Sequence, residues 1–138
     1  MIEIESRELA DIPVLHAYPV GQKDTPLPCV IFYHGFTSSS LVYSYFAVAL
    51  AQAGLRVIMP DAPDHGRRFS SDEARRLNQF WQILLQSMQE FTTLRAAIAE
   101  ENWLRDDRLA VGGASMGAMT ALGITARHPK IGRASCRE

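Results

Sequence analysis

The sequence has few of the residues that build disulfide frameworks and metal sites. Its 138 residues include two cysteines and four histidines, and no cluster of Cys and His has the spacing of metal ligands. Two cysteines, one in an apolar run and one near the last residue, do not make a disulfide framework. We therefore predict no metal and no cofactor, and we expect Cys29 to be a reduced, buried thiol.

Charge of one sign and long apolar runs are also scarce. The formal net charge of −1 offers no basic surface for nucleic acid. No apolar run approaches the roughly 18 residues that span a bilayer, and the acidic, alternating residues 1–8 lack the features of a signal peptide. These absences predict a cytoplasmic protein with neither nucleic-acid nor membrane partners, and they leave the oligomeric state open.

The sequence does contain an alternation of strand-like and helix-like segments. Residues 2–9 and 12–20 alternate in polarity, which predicts an antiparallel hairpin at a sheet edge. Residues 29–33 are apolar throughout, as expected of a strand buried on both faces beside parallel neighbours. Residues 55–59 and 109–113 predict two further strands. Together with the helices between them, they indicate an α/β fold with a mostly parallel sheet.

Helical periodicity follows three of these strands. A first helix is expected from Leu41 to a C-terminal cap at Gly54, and another over residues 114–127. Between them, Ser70 and Glu73 have the spacing of a capping box. The apolar pattern that follows predicts one long helix, or two with a break near Ser87.

The strongest motif is Gly-x-Ser-x-Gly at residues 113–117, between an apolar strand and a helix. This context is typical of a nucleophile elbow, in which Ser115 occupies a sharp turn between Gly113 and Gly117. The alternative is a glycine-rich turn with an incidental serine. A dinucleotide-binding turn is disfavoured because Ala114 replaces its second glycine, and no Gly-Lys-Ser/Thr follows for a phosphate loop.

A serine that attacks an ester also needs backbone donors for the oxyanion that forms. The N–H of Met116 would provide one donor at the start of a helix. The loop that begins with His34 and Gly35 follows a neighbouring strand, so the N–H of Phe36 is the candidate for the second.

The motifs at residues 33–36, 60–66 and 113–117 have the order and spacing found in α/β-hydrolase-fold enzymes. Residues 1 to about 130 resemble the amino-terminal half of esterases of the dienelactone hydrolase and prolyl oligopeptidase-like group. The resemblance implies a three-layer α/β-hydrolase fold truncated to that half, with a mostly parallel sheet and an antiparallel edge hairpin. It also implies a small-molecule carboxylic ester with a short acyl chain as substrate, Ser115 as nucleophile, and Phe36 and Met116 as the oxyanion hole. His34, Gly35, Gly113 and Gly117 would support this site.

None of the histidines is expected to act as the general base. His128 lies about 20 Å from Ser115 along the predicted helix. The resemblance indicates that His34 orients backbone, His65 is expected to be a turn residue, and His16 is expected on a strand surface. The remaining candidates have structural roles, with Asp61 and Asp64 in a turn and four residues lining the core or a groove: Tyr43, Tyr45, Trp81 and Met88.

The predicted domain boundaries are 1–130 for the amino-terminal half of the hydrolase domain and 131–138 for a non-native tail. Translation of a widely used sequencing-adapter sequence gives this same octet, so Ser135 and Cys136 are assigned no function. The chain alone is then expected to be inactive and to fold poorly, with residues 109–111 as an exposed apolar sheet edge. A serine peptidase, an acyltransferase and a noncatalytic α/β binding module remain alternatives.

Overall fold

The computed structural model describes residues 1–133, the last two by their backbone alone. Within these residues six strands form one sheet. They are β1 (Ile2–Leu9), β2 (Ile12–Pro19), β3 (Leu27–Tyr33), β4 (Arg56–Pro60), β5 (Leu104–Gly113) and β6 (Gly132–Arg133). Their order across the sheet is β1-β2-β4-β3-β5-β6.

The pairing of the strands confirms the predicted hairpin and the parallel centre of the sheet. Strands β1 and β2 are antiparallel, with Ile2 opposite Pro19 and Leu9 opposite Ile12. Strand β3 is central and pairs in parallel with β4 and β5. Because parallel strands have their carboxyl ends at one edge, the loops after β3, β4 and β5 converge there.

Helices cover both faces of the sheet. They are α1 (Ser44–Gln52), α2 (Glu73–Asn78), α3 (Phe80–Glu100) and α4 (Met116–Arg127), with a 3₁₀ turn at Gly66–Arg68. Helix α1 buries Ala47 and Ala51 against one face. On the other face, Phe91 of α3 and Ile124 of α4 pack against Ile31 of β3. The predicted three-layer α/β architecture is confirmed, and no helix within residues 1–133 is long and apolar enough to cross a membrane.

The end of α1 follows from one glycine. Gly54 has a φ of 94°, a conformation that costs glycine little because it has no Cβ. Its N–H bonds to the carbonyl of Ala51 at 3.0 Å, and the N–H of Leu55 bonds to that of Leu50 at 3.3 Å. This pair of bonds is a Schellman motif, which confirms the predicted cap. The helix itself begins at Ser44 rather than Leu41.

One expectation about the next helices is wrong, and one of two alternatives is confirmed. The N-cap of α2 is Asp72, whose carboxylate accepts the N–H of Arg75 at 3.0 Å, so Ser70 and Glu73 do not form a capping box there. Of the two alternatives for the apolar pattern that follows, one long helix is confirmed, because α3 runs unbroken through the buried Ser87. The short α2 precedes it and ends at Gln79. A buried serine within a helix does not interrupt its backbone hydrogen bonds, and the sequence pattern did not distinguish these positions.

The outer side of β5 is paired over a short distance. Gly132 and Arg133 lie parallel to Ala110 and Val111, so the expectation of a wholly exposed edge there is wrong at two positions. The predicted tail falls mainly outside the described residues, including Ser135 and Cys136.

Candidate active site

Ser115 occupies a strained position between β5 and α4. Its backbone has φ 57° and ψ −119°, a conformation that costs a residue with a side chain on the order of 1–3 kcal/mol. Ser115 is exposed, whereas Ala114 and Met116 on either side are buried. The turn therefore presents the serine side chain at the surface and anchors its neighbours in the core.

Two glycines allow this turn to pack closely. A Cβ on Gly113 would collide with the backbone of Gly117. A Cβ on Gly117 would collide with the backbone of Tyr33 and His34 at the end of β3. The glycines of the motif are thus required by contact with backbone, which cannot move aside as a flexible side chain could.

The loop after β3 lies directly beside Ser115. A Cβ placed on Gly35 would be 3.4 Å from Cβ of Ser115 and 3.2 Å from the Tyr43 hydroxyl. Within residues 1–133, neither the N–H of Phe36 nor that of Met116 donates a hydrogen bond. The structure thus brings together Ser115 and the two loops that carry the predicted donors.

His34 binds backbone through both ring nitrogens. Its Nδ1 lies 2.8 Å from the carbonyl oxygen of Gly35, and its Nε2 accepts the N–H of Ala62 at 3.0 Å. Since a carbonyl only accepts, Nδ1 carries the proton and the ring is neutral. Burial lowers the pKa of His34 to about 4, which keeps it neutral at pH 7.

His65 is arranged in the same way. Its Nδ1 donates to the carbonyl of Pro63 at 2.9 Å, and its Nε2 accepts the N–H of Thr37 at 2.8 Å. The side chain is fully buried, and burial lowers its pKa. The bond to Thr37 reaches back to the loop of Phe36, a connection that the sequence analysis missed.

Both acidic residues of the turn after β4 bind backbone donors. The carboxylate of Asp61 accepts the N–H and hydroxyl of Ser40 at 3.0 and 2.8 Å, and the N–H of Arg67 at 3.3 Å. Asp64 accepts the N–H of Ser70 at 2.7 Å, a bond that lowers the pKa of this carboxyl. Neither carboxylate contacts a histidine ring nitrogen within residues 1–133.

No general base for Ser115 lies within residues 1–133. His34 and His65 use both ring nitrogens elsewhere, and His128 caps the far end of α4, where its ring lies 5.1 Å from that of Phe91. The same residues contain no group of His, Cys, Asp and Glu that could hold a metal. Residues 1–133 thus hold a candidate nucleophile and a candidate oxyanion hole but no candidate proton acceptor for Ser115.

The expectation that His16 lies on a strand surface is wrong. His16 is fully buried, donates from Nδ1 to Glu5 at 2.7 Å and accepts from Arg56 at Nε2 at 2.8 Å. Its ring stacks on Trp103 with centroids 4.2 Å apart, and burial lowers its pKa to about 4. Strand β2 is covered on both faces, which its alternating sequence did not indicate.

The other aromatic and sulfur-containing candidates differ in burial. Tyr43 and Met88 are half-buried and pack against the core, while Tyr45 and Trp81 are exposed. Cys29 is buried and free, and burial raises the pKa of its thiol to about 12. The expectation of a buried thiol is thus confirmed.

A comparison with protein families now adds to this geometry. The model of the Hydrolase_4 family, described as Serine aminopeptidase, S33, matches residues 24–135. The chain belongs to the Hydrolase_4 family. Its elbow at Ser115 and its candidate oxyanion loops all lie within the matched region.

Relatives of this Hydrolase_4 chain include a bacterial esterase. Esterase YjfP of Escherichia coli (strain K12) is 95% identical over 131 residues, which are 95% of this chain and 53% of that protein. The chain spans about half the length of the curated relatives it matches. The resemblance to esterases inferred from the motifs is confirmed.

Solved structures agree on the fold. TT1662 from Thermus thermophilus superimposes with a TM-score of 0.74 at 24% identity, over 98% of this chain and 56% of that one. Dienelactone hydrolase from Anabaena variabilis ATCC 29413 gives 0.70 at 22% identity, over 99% and 62%. At these identities the likeness shows a shared α/β-hydrolase architecture and nothing about substrates.

Proposed function

We propose that this chain is the nucleophile-bearing part of a hydrolase that cleaves carboxylic esters with short acyl chains. The observation that carries the proposal is the conformation of Ser115. Its side chain is exposed on a strained turn, and that turn exists only because Gly113 and Gly117 lack a Cβ. Strain held at one residue by tight packing on both sides is typical of a reacting group.

In the proposed reaction, Oγ of Ser115 attacks the ester carbonyl carbon while its proton passes to a base. The N–H groups of Phe36 and Met116 stabilise the oxyanion. The alcohol leaves with the proton from the base, which produces an acyl-enzyme on Ser115, and water then releases the acid by the same steps. The two donors are free for this role within residues 1–133.

The base and its carboxylate partner are proposed to lie in sequence beyond this chain. The chain spans 53% of its E. coli relative, and the rest of such a protein has ample length for both groups. Residues 131–138 are proposed to be non-native. The protein to test therefore joins residues 1–130 to the part of the E. coli relative outside the alignment, and is called the completed enzyme below.

A second candidate is a serine peptidase. The family description names a serine aminopeptidase, and an elbow serine can attack an amide as well as an ester. The leaving group is selected by residues around the elbow, so esters and aminoacyl anilides should be compared on the same enzyme.

The test is labelling of the completed enzyme with a fluorophosphonate, followed by assays with p-nitrophenyl acetate, p-nitrophenyl octanoate and aminoacyl p-nitroanilides. We expect labelling at Ser115, loss of labelling in Ser115→Ala, and the highest kcat/KM for the acetate. The 138-residue chain alone should be slower by about 10⁶-fold because it lacks the base. Preference for the anilides would favour the peptidase. A folded completed enzyme that neither labels nor turns over would favour a noncatalytic binding module.

A further inference from the structure

Two loops at the candidate site are joined by a reciprocal pair of histidine hydrogen bonds. The oxyanion loop is defined here as residues 34–37, and the β4 turn as residues 61–66. His34 in the oxyanion loop accepts the N–H of Ala62 in the β4 turn. His65 in the β4 turn accepts the N–H of Thr37 in the oxyanion loop.

We propose that His65 is a second positioning residue, which acts together with His34 through this reciprocal pair of bonds to hold the Phe36 N–H in its place beside Ser115. The inference rests on the proposed function, because it assigns the two histidines to the oxyanion hole of that reaction.

The bonds surround the residue that they position. Phe36 lies between Gly35, whose carbonyl accepts the Nδ1 proton of His34, and Thr37, whose N–H reaches His65. Thr37 has a φ of 66°, a left-handed conformation that is uncommon for threonine. The bond to His65 offsets that strain and fixes the direction of the backbone next to the candidate donor.

The side chain of Phe36 packs on the same assembly. Its ring meets that of His65 edge-on, with centroids 5.3 Å apart, and that of Phe80 at 4.9 Å. The backbone hydrogen bonds of Gly35 and Thr37 thus hold Phe36 on both sides. Its ring adds contacts to Phe80 and to His65 itself.

The pair works only when both histidines are neutral. Protonation of Nε2 would turn each acceptor into a donor facing another donor. The charged groups that act electrostatically on the pair are Asp61, Asp64 and Arg76. Both carboxylates face backbone donors of other residues, so the imidazoles are held neutral mainly by burial.

An effect on catalysis separates positioning from simple stabilisation. An oxyanion hole acts on the transition state, so its displacement lowers kcat and leaves KM nearly unchanged. Loss of a purely structural contact lowers the amount of folded enzyme but not the turnover of each folded molecule. Rates must therefore be divided by the number of sites that a fluorophosphonate labels.

The experiment compares His65→Phe and His65→Gln in the completed enzyme. Phenylalanine removes the acceptor, whereas glutamine can place an oxygen acceptor near Nε2 and cannot titrate. We expect His65→Phe to lower kcat per labelled site by about 10- to 100-fold, below the full loss of an oxyanion donor, with little change in KM. His65→Gln should recover most of this loss. His16→Gln and His16→Phe are matched controls at a buried histidine remote from the loops, and should leave kcat per labelled site unchanged.

A second measurement needs no variant that might fail to fold. Nitrogen-15 NMR of labelled histidine should show His34 and His65 as neutral Nδ1–H tautomers at pH 7, as their hydrogen-bond partners require. A protonated ring or an Nε2–H tautomer at pH 7 would overturn the proposal. So would equal kcat per labelled site in wild type, His65→Phe and His65→Gln. Failure of the proposed function looks different, because the wild-type completed enzyme would then neither label nor turn over.

Discussion

His34 and His65 lie in the loops after β3 and β4, and both bond to backbone groups. His16 lies in β2 and bonds to the side chains of Glu5 and Arg56, near the amino end of β4. All three imidazoles are buried, neutral and protonated at Nδ1, as their partners require. The first two accept N–H groups of loops beside Ser115. His16 instead lies between a carboxylate and a guanidinium.

The difference lies in what each histidine holds. Backbone partners have little freedom once a loop is closed, so the site histidines fix the path of the chain. His16 belongs to a cluster with Glu5, Arg56 and Trp103, and Arg56 also donates to four backbone carbonyls, those of Gln22, Lys23, Thr25 and Trp103. The four residues of this cluster, called the lower cluster below, connect the hairpin, the following loop and the start of β5. Loss of the lower cluster should reduce the free energy of unfolding, whereas disturbance of the two loops beside Ser115 should reduce turnover.

The largest effect is expected from Gly117→Ala in the completed enzyme. The added Cβ would meet the backbone of Tyr33 and His34, so the elbow cannot form without displacement of β3 or α4. We expect a loss of more than about 3 kcal/mol in the free energy of unfolding and no fluorophosphonate labelling. Denaturant unfolding and labelling check this.

Gly54→Ala is its control, because a Cβ on Gly54 meets nothing within 4 Å and only the strain of its positive φ remains. That change should cost about 1 kcal/mol and leave labelling intact. A Gly117→Ala enzyme as stable as the Gly54→Ala enzyme would contradict the close packing of the elbow.

The next largest effect is expected from Arg56→Met. The side chain is fully buried, and its removal leaves Nε2 of His16 and the four bonded carbonyls without their donor. Removal of one member of a buried charged network in this way lowers the free energy of unfolding by about 3–5 kcal/mol. Urea unfolding measures the loss, with exposed Arg105→Met as the control, which should stay within about 0.5 kcal/mol. Because kcat per labelled site counts only folded enzyme, any clear fall in it would contradict the separation of the two clusters.

Acid should destabilise the folded protein at two places, the lower cluster around His16 and the loop that contains His34. Burial lowers the pKa of His16 and of His34 to about 4 in the folded state, against about 6.5 in an unfolded chain. The unfolded state therefore binds more protons between these values. The stabilisation is complete above about pH 6.5 and is lost as the pH falls through about 4.

Substitution of His16 or His34 separates their contributions to the pH dependence of the unfolding free energy. His16→Gln should make the decline of unfolding free energy shallower by about one proton, or about 1.4 kcal/mol per pH unit, while kcat at pH 7 stays unchanged. His34→Gln should produce the same change of slope. Unfolding titrations at several pH values test both, and an unchanged slope in His16→Gln would show that His16 is protonated in the folded protein at pH 6.

The smallest effect is expected from Ser40→Ala. Asp61 would lose the Ser40 hydroxyl but keep the N–H groups of Ser40 and Arg67. The loss of one such bond costs about 1 kcal/mol, and kcat should not change. A fall in kcat of more than about tenfold would instead indicate that Asp61 takes part in the reaction.

Local patterns were enough to predict the elements that carry the candidate site. The apolar runs of β3 and β5 and the small residues around Ser115 each act over a few neighbours, so their conformations follow from short stretches of sequence. The family model then matched the same region. The predicted hairpin and the cap at Gly54 have the same local origin.

The interactions that the sequence analysis missed are long-range. His16 meets Arg56 across 40 positions of the chain, and each bond of the His34 and His65 pair spans 28 positions. No periodicity predicts such pairings, because they depend on which strands become neighbours in the sheet. The one local feature common to the two loops is a His-Gly dipeptide in each, at residues 34–35 and 65–66.

Of the two tryptophans, one lies in the lower cluster and the other lies near the oxyanion loop. Their fluorescence can therefore distinguish the two regions. Trp103 is 1% exposed and stacks on His16, so it should emit at short wavelength, and its emission should be quenched when that imidazole gains a proton. Trp81 is 62% exposed and touches Phe80, the ring that packs against Phe36, so it should emit at long wavelength. A single emission spectrum can therefore follow the lower cluster and the oxyanion loop separately, without an attached dye.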